Sequence, residues 1–457
     1  MPSTWNTRPG RVAGQPGLSS QPGFLGQLDA PGHVVDVRPL HIRPPRAGSP
    51  QVAPPHAGVP QAGQADIRPA PVRAPRRPDG PDATPCVLLL SRTCDTGLTR
   101  VQALLEGVGI RVSRVDADAL PAAVPNSLAQ AGPEACAEDG TAPGRPAMDR
   151  AGLDRTSLVL DLNAGRVRLD GHWLAPTVIW LRHFTGRAIE VGQAGTVASA
   201  LFARDSWQEV AEQVAAISPR ALGARRLGTI EQLALARRLG VAVPRTIVTT
   251  DLSAARAAFS CARLVVKAAR EHFVEAEPGR LTGIFPQVIE RRDLPVWPGQ
   301  GPPVIVQEHV EHTAELRVYY AAGRVLGFEV GKRSPADPWT SPADVTVTTV
   351  AVSPAVDAAT RALASAMSLE FGAFDFLIRA GEPVFLEANP DGDWDWAERM
   401  AGGEVVTHAV AAMLARLHRS VTLPASRAPF NLVAFLTACT ANQPDRSHSR
   451  RLPESSR

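Results

Sequence analysis

The chain has 457 residues, enough for two or three domains with cores of their own. It has no run of eighteen apolar residues and no charged-then-apolar start. That argues against a membrane span and a secretory signal, and makes the cytoplasm the expected compartment. The net charge of +3 comes from residues 1–85, where 9 Arg stand against 5 Asp. The 39 basic and 40 acidic residues that follow nearly cancel, so nothing argues for a nucleic-acid-binding body.

Residues 1–85 hold 18 of the 42 prolines with much Gly and Gln, a composition too poor in apolar periodicity to offset ordering entropy; a disordered tail is expected. Order is expected from Cys86-Val87-Leu88-Leu89-Leu90, an apolar run suited to a buried parallel strand. An amphipathic helix over 96–108 and a strand from Gly109 complete a βαβ opening without a Gly-rich phosphate loop. An inserted loop (121–155), a hairpin around Asn163-Ala164-Gly165 and a strand Thr177–Leu181 ending in Arg182-His183 follow. That strand end could line a cleft or form an open edge. After a helix over 198–217, the Pro/Gly-bearing stretch 218–228 reads as a linker.

A short helix over 230–239 closes at Gly240, and 252–261 is helical. The strand Arg263–Lys267 precedes a polar stretch, 271–285, expected to be a mobile covering loop. Val304–Gln307 is a strand running into Glu308-His309-Val310, and 315–320 with 324–330 make a hairpin that delivers Lys332 and Arg333. A helix over 354–367, a hairpin over 371–389 and a helix over 404–419 finish the ordered part, before a second frayed tail with an apolar patch at 432–439. The five cysteines are scattered and odd in number, which suggests neither disulfides nor a zinc site.

Chemistry concentrates in the last hairpin, FGAFDFLIRAGEPVFLEANPDGDWDW. Asp375, Glu387 and Asn389 bring oxygen-bearing side chains to a unit that otherwise buries aromatic and aliphatic groups. Facing one pocket, they suit a hard cation bridging phosphate oxygens; facing water, they are only a polar edge. The lysine count adds a second sign. Of 48 basic residues only Lys267 and Lys332 are lysine, in a chain that otherwise uses arginine. A slim ammonium reaches between phosphates where a planar fork does not fit, so these two positions are candidates for that task.

The order LVVKA (264–268), VQEHV (306–310), ELRVYY (315–320), FGAFDFL (371–377) and VFLEANPDGDW (384–394) resembles the ATP-grasp superfamily of carboxylate–amine ligases across roughly 177–419. The run NPDGDWDW and the strand ending WLRHF are most similar to its microviridin-type, peptide-maturing members. The resemblance implies a mixed α/β and α+β fold: a disordered tail (1–85), an N-terminal α/β domain (86–217), a central lobe (218–300), a C-terminal lobe with the metal site (301–420) and a C-terminal tail (421–457). It implies ATP and Mg²⁺ as cofactors, usually two ions, with Mn²⁺ as a substitute. Lys267 would contact the α- and β-phosphates. Gln307, Glu308, His309 and Val310 would form the adenine hinge, with Glu315 near ribose or hinge. Arg317 would face the transferred phosphoryl group, Lys332 and Arg333 the acylphosphate, and Asp375, Glu387 and Asn389 would bind metal. The partner would be a precursor peptide or a small carboxylate, with neither nucleic acid nor membrane, and dimers are common among relatives.

Two departures stand out. A further lysine usual in relatives near Thr229 is missing, with Arg225 or Arg226 as substitutes, and Asp391 and Asp393 fall where many relatives are neutral. A small-molecule or glutamate-adding ligase and a non-catalytic ATP-binding protein are the competing readings.

Overall fold

The computed structural model describes residues 34–39, 83–120, 157–190, 197–223, 226–269, 273–278, 280–295, 301–332 and 345–423. The inserted loop at 121–155 and the patch at 432–439 lie outside them. The chain starts with β1 (Val34–Pro39), β2 (Thr84–Ser91), α1 (Thr96–Gly107), β3 (Val112–Asp116), β4 (Leu158–Asp161), β5 (Arg166–Leu169) and β6 (His172–Leu181). Strands β2 to β6 form one sheet in the order β3-β2-β6-β5-β4. The apolar run of β2 lies parallel to both β3 and β6, which leaves it buried on both faces. Asp95 caps α1 by accepting a hydrogen bond from the Leu98 N–H at 3.0 Å.

After α2 (Val197–Gln213), β7 (Ala221–Leu222) pairs in parallel with β6, so the stretch expected to be an open linker adds a strand to the sheet. Gly223, at φ +74°, makes this approach feasible: a Cβ there would lie 2.0 Å from the Leu181 carbonyl oxygen.

The central lobe holds α3 (Thr229–Arg238), β8 (Thr246–Thr249), α4 (Leu252–Ala258), β9 (Arg263–Ala268), β10 (Phe273–Glu277), β11 (Arg280–Phe285), β12 (Gln287–Glu290) and β13 (Val304–Glu308). Its sheet, β12-β9-β13-β8, is antiparallel throughout. Leu252, Ala255 and Phe259 of α4 and its C-terminal end pack on Leu264, Val266 and Val306. The expected covering loop at 271–285 is instead the β10–β11 hairpin, because Phe273-Val274 and Leu281-Thr282 carry strand formers that the polar composition masks. Another correction concerns the N-terminal tail. Val34–Pro39 pairs in parallel with β11, as the three valines at 34, 35 and 37 permit.

The last lobe comprises β14 (Ala314–Ala321), β15 (Arg324–Lys332), β16 (Val345–Val350), α5 (Pro354–Ala366), β17 (Phe371–Arg379), β18 (Glu382–Asn389), α6 (Asp395–Ala401) and α7 (Val405–Thr422). Its sheet runs β16-β15-β14-β17-β18, again antiparallel. Val356 and Leu363 of α5 pack with Val318, Phe374, Phe376 and Phe385. Residues of α7 share a second core with both this sheet and the N-terminal sheet. It joins Leu98 and Trp180 to Tyr319, Phe371, Trp394 and Leu414, so the first and last units are packed as one body. No described helix is long and apolar enough to cross a membrane.

Candidate active site

Three neighbouring strands set the centre. Arg317 on β14 is directly across from Asp375 on β17, which is directly across from Glu387 on β18. The second alignment depends on a β-bulge: Phe376 pairs with Phe385, yet Asp375 pairs with Glu387, leaving Leu386 as the extra residue. Without that bulge, strict pairing would put Leu386 opposite Asp375 and turn Glu387 away.

Arg317 Nη1 donates to both Asp375 oxygens, at 2.9 and 2.8 Å. Burial works against the guanidinium charge, but the Asp375 carboxylate outweighs it and raises the Arg317 pKa above its ordinary value. Asp375 is pushed up by burial, held down by Arg317 and pushed up again by Glu387, for a net upward shift. Two half-buried carboxylates face to face are a place where added positive charge is favourable.

That charge comes from the other lobe. Lys267, near the end of β9, reaches across so that its Nζ lies 3.4 Å from Glu387 Oε2. The two residues are 120 positions apart and sit on different sheets. Asn389, at the end of β18, turns its Oδ1 toward the Asp391 N–H at 3.0 Å. One lone pair of that oxygen remains for another partner. Among the described residues no trio of His, Cys, Asp or Glu is gathered tightly enough to hold a metal. Two carboxylates and a carboxamide nevertheless fit Mg²⁺, which takes one or two carboxylates and fills its remaining positions with water and phosphate oxygens.

Beside this group lies a second buried cluster. Glu315 Oε1 is 2.7 Å from Lys332 Nζ and 2.8 Å from His312 Nε2, while His312 Nδ1 is 2.8 Å from the Val310 carbonyl. Both ring partners are acceptors, an arrangement that favours a proton on each ring nitrogen. Burial opposes this, but the Glu315 carboxylate and the Val310 carbonyl prevail and raise the His312 pKa.

The segment 307–309, expected as the hinge, is bonded to its neighbours. Gln307 donates to Thr246 Oγ1 at 2.9 Å, Glu308 accepts from the Arg245 N–H at 3.0 Å, and the His309 N–H donates to the Arg263 carbonyl at 3.1 Å. Burial lowers the His309 pKa, which keeps its ring neutral near pH 7.

No family model matches the chain, and no curated protein sequence is significantly similar to it. Solved structures are informative. The macrocyclase MdnC from Microcystis aeruginosa MRC, bound with precursor peptide MdnA, superposes with a TM-score of 0.53 at 16% identity, over 72% of this chain and 99% of that one. The ATP-grasp ligase PsnB complexed with minimal precursor gives 0.52 at 17% identity, over 73% and 99%. The chain has the ATP-grasp fold. A Chryseobacterium gregarium RiPP-associated ATP-grasp ligase, in complex with ADP and a leader and core peptide, superposes at 0.52 with 16% identity, over 73% and 97%.

Within this ATP-grasp fold, Lys267, Arg317, Asp375 and Glu387 meet in one cluster, and Glu315 and Lys332 meet beside it. The side chains of Gln307 and Glu308 bond to β8 and its approach. Arg333 and Arg225 lie outside the described residues. Arg226 is placed on Asp391, with Nη1–Oδ2 at 2.6 Å and Nη2–Oδ1 at 2.9 Å, rather than on Lys267's group. Asp391, one of the two acids that fall where many relatives are neutral, is thereby paired.

Sequence reasoning missed His312, whose only signal is its spacing of three from Glu315. It also left open the role of Arg182, which donates from Nε to the Asp391 carbonyl at 2.8 Å and pairs with Asp95. Trp394 is packed under the site: it faces Trp180 with 6.3 Å between ring centroids and donates to Thr407 Oγ1 at 2.9 Å.

Proposed function

We propose that the protein is an ATP- and Mg²⁺-dependent ligase that activates a carboxylate as an acylphosphate and joins it to an amine or hydroxyl, in the maturation of a ribosomally made peptide. The observation that carries the reading is the meeting of Lys267 and Glu387 at 3.4 Å across two sheets, next to the Arg317–Asp375 pair. The peptide substrate is favoured by the neighbours in fold, which include MdnC bound with its precursor peptide and PsnB complexed with minimal precursor.

The chemistry follows from charge. A substrate carboxylate oxygen bonds to the γ-phosphorus, the β–γ bridging P–O bond breaks, and ADP leaves. The amine or hydroxyl then bonds to the acyl carbon, the acyl C–O bond breaks, phosphate leaves, and the nucleophile gives up a proton. Lys267 and Arg317 stabilise the negative charge that collects on the transferred phosphoryl group. Asp375, Glu387 and Asn389 would hold Mg²⁺, which neutralises charge on the β- and γ-oxygens when bound. Lys332 is kept near the reacting end by Glu315.

The test is mass spectrometry of a candidate precursor peptide, encoded beside this gene, incubated with enzyme, ATP and Mg²⁺. Loss of one water per bond formed, with matching ADP release, is expected. An ATP pool left intact with peptide and with free amino acids alike, Mg²⁺ present, would overturn the ligase reading. Turnover with free amino acids but not with peptide would move the substrate to the small-molecule class.

A further inference from the structure

The turn Asn389–Asp395 is held from both sides by arginines that the proposed chemistry does not use. Arg226, in the segment before α3, grips the Asp391 carboxylate with both Nη atoms, at 2.6 and 2.9 Å. This two-point fork fixes direction as well as distance. Arg182, at the end of β6, takes the Asp391 carbonyl with its Nε at 2.8 Å. Arg182 is almost fully buried, pairs with the helix-capping Asp95, and lies 4.2 Å over the Trp394 ring. Residue 391 is therefore fixed through its side chain and its carbonyl, and its remaining backbone group, the N–H, points at Asn389 Oδ1 from 3.0 Å.

We propose that Asp391, clamped by Arg226 and Arg182, is a positioning residue that orients the Asn389 carboxamide and so sets metal affinity. The proposal rests on the reading of Asn389 as a metal donor. Its physical basis is the general behaviour of metal sites: the groups that orient a ligand are worth roughly 10–100-fold in affinity. Arginine suits the clamp because only a planar fork meets both carboxylate oxygens at once; a lysine would hold Asp391 at a point and leave it free to swivel. The clamp also joins three parts of the fold. Arg182 belongs to the N-terminal sheet, Arg226 to the connecting segment and Asn389 to the last sheet, so a shift of the first unit would be felt at the metal donor.

The experiment uses the full chain with ADP and Mn²⁺, following bound metal by electron paramagnetic resonance, with ADP affinity measured separately without metal. Arg226→Ala and Asp391→Asn are expected to weaken Mn²⁺ binding about tenfold or more. Arg226→Lys should fall between them and the parent, and metal-free ADP affinity should not move. The Arg226 side chain is about one-third exposed, so added guanidinium can enter and is expected to restore Mn²⁺ binding to Arg226→Ala. Unchanged Mn²⁺ affinity in folded Arg226→Ala would overturn the proposal. Should that variant not fold, unchanged affinity in Arg226→Lys would do the same. Loss of metal-free ADP affinity would instead put Arg226 on the phosphates and also overturn it. A parent protein that binds neither ADP nor Mn²⁺ overturns the nucleotide reading itself, a result separate from either of these.

Discussion

Two ionic clusters lie close together in this molecule and are built differently. At the junction of the first and last units, arginines make tight, directed bonds: Arg226 to both oxygens of Asp391, and Arg182 to Asp95 and the Asp391 carbonyl. At the Lys267–Glu387 centre the contact is a longer 3.4 Å between a flexible ammonium and a carboxylate. The lesson concerns exchange. A fork held by two bonds is costly to open, whereas a point charge at longer range can change partners when a triphosphate and its cation arrive. The chain's two lysines both face carboxylates, Lys267 on Glu387 at 3.4 Å and Lys332, in the neighbouring cluster, on Glu315 at 2.7 Å.

The comparison is broken most directly at its centre. Lys267→Ala and Glu387→Gln are each expected to cut ADP formation by about 100-fold or more, without a change in melting temperature large enough to signal unfolding. Lys267→Arg sharpens the point. If charge alone mattered it would work, but a planar guanidinium does not fit where a slim ammonium reaches, and a loss of at least about tenfold is expected. Near-parental turnover in Lys267→Arg would mean the lysine is a remnant and not a requirement.

At the junction the larger effect falls on stability. Trp394 is fully buried among Trp180, Phe371 and the Gly97 backbone, where its ring would lie only 3.1 Å from a Cβ at residue 97. Trp394→Ala is expected to cost about 3–5 kcal/mol in denaturant unfolding, from lost burial and the cavity left behind. A cost under about 1 kcal/mol would show that α6 and α7 repack freely and that the junction is not rigid.

How much of this was legible follows from which forces are local. The hairpin at 371–389 is announced by its turn residues Ala380-Gly381, which both take positive φ, and by aromatic residues flanking them. The strand ending in Lys267 is announced by its apolar run. The bulge at Leu386 is not, because an extra residue leaves no mark in a two-residue period until the partner strand is known. Arg182 was equally ambiguous: a charged residue at a strand end reads as exposed until Asp95 arrives from the cap of α1 and Asp391 and Trp394 from the turn after β18. The β10–β11 hairpin was misread because its pairing partner is a neighbouring segment of equal polarity. Local pattern thus conveys which groups exist and on which strands, while long-range contacts decide which charges are spent on structure.

The smallest expected effect is one of pH, and it separates the His312–Glu315–Lys332 cluster from both others. His312 has a folded pKa above its ordinary 6.5, raised by Glu315 and the Val310 carbonyl against the opposing effect of burial. A raised cationic group adds stability that is fully present below the unfolded pKa of about 6.5 and is lost as pH rises through the folded value. Folding stability measured from about pH 6 to about pH 9 should therefore fall on the alkaline side, and His312→Gln should flatten the curve. Lys332 supplies the cross-check, since its ammonium repels the protonated ring and pulls the His312 pKa down. Lys332→Met should shift the alkaline fall to higher pH, because Glu315 then has His312 as its main cation. A shift to lower pH would show that Lys332 holds Glu315 in place for His312, and that the three groups act as one unit instead of two cations competing for one carboxylate.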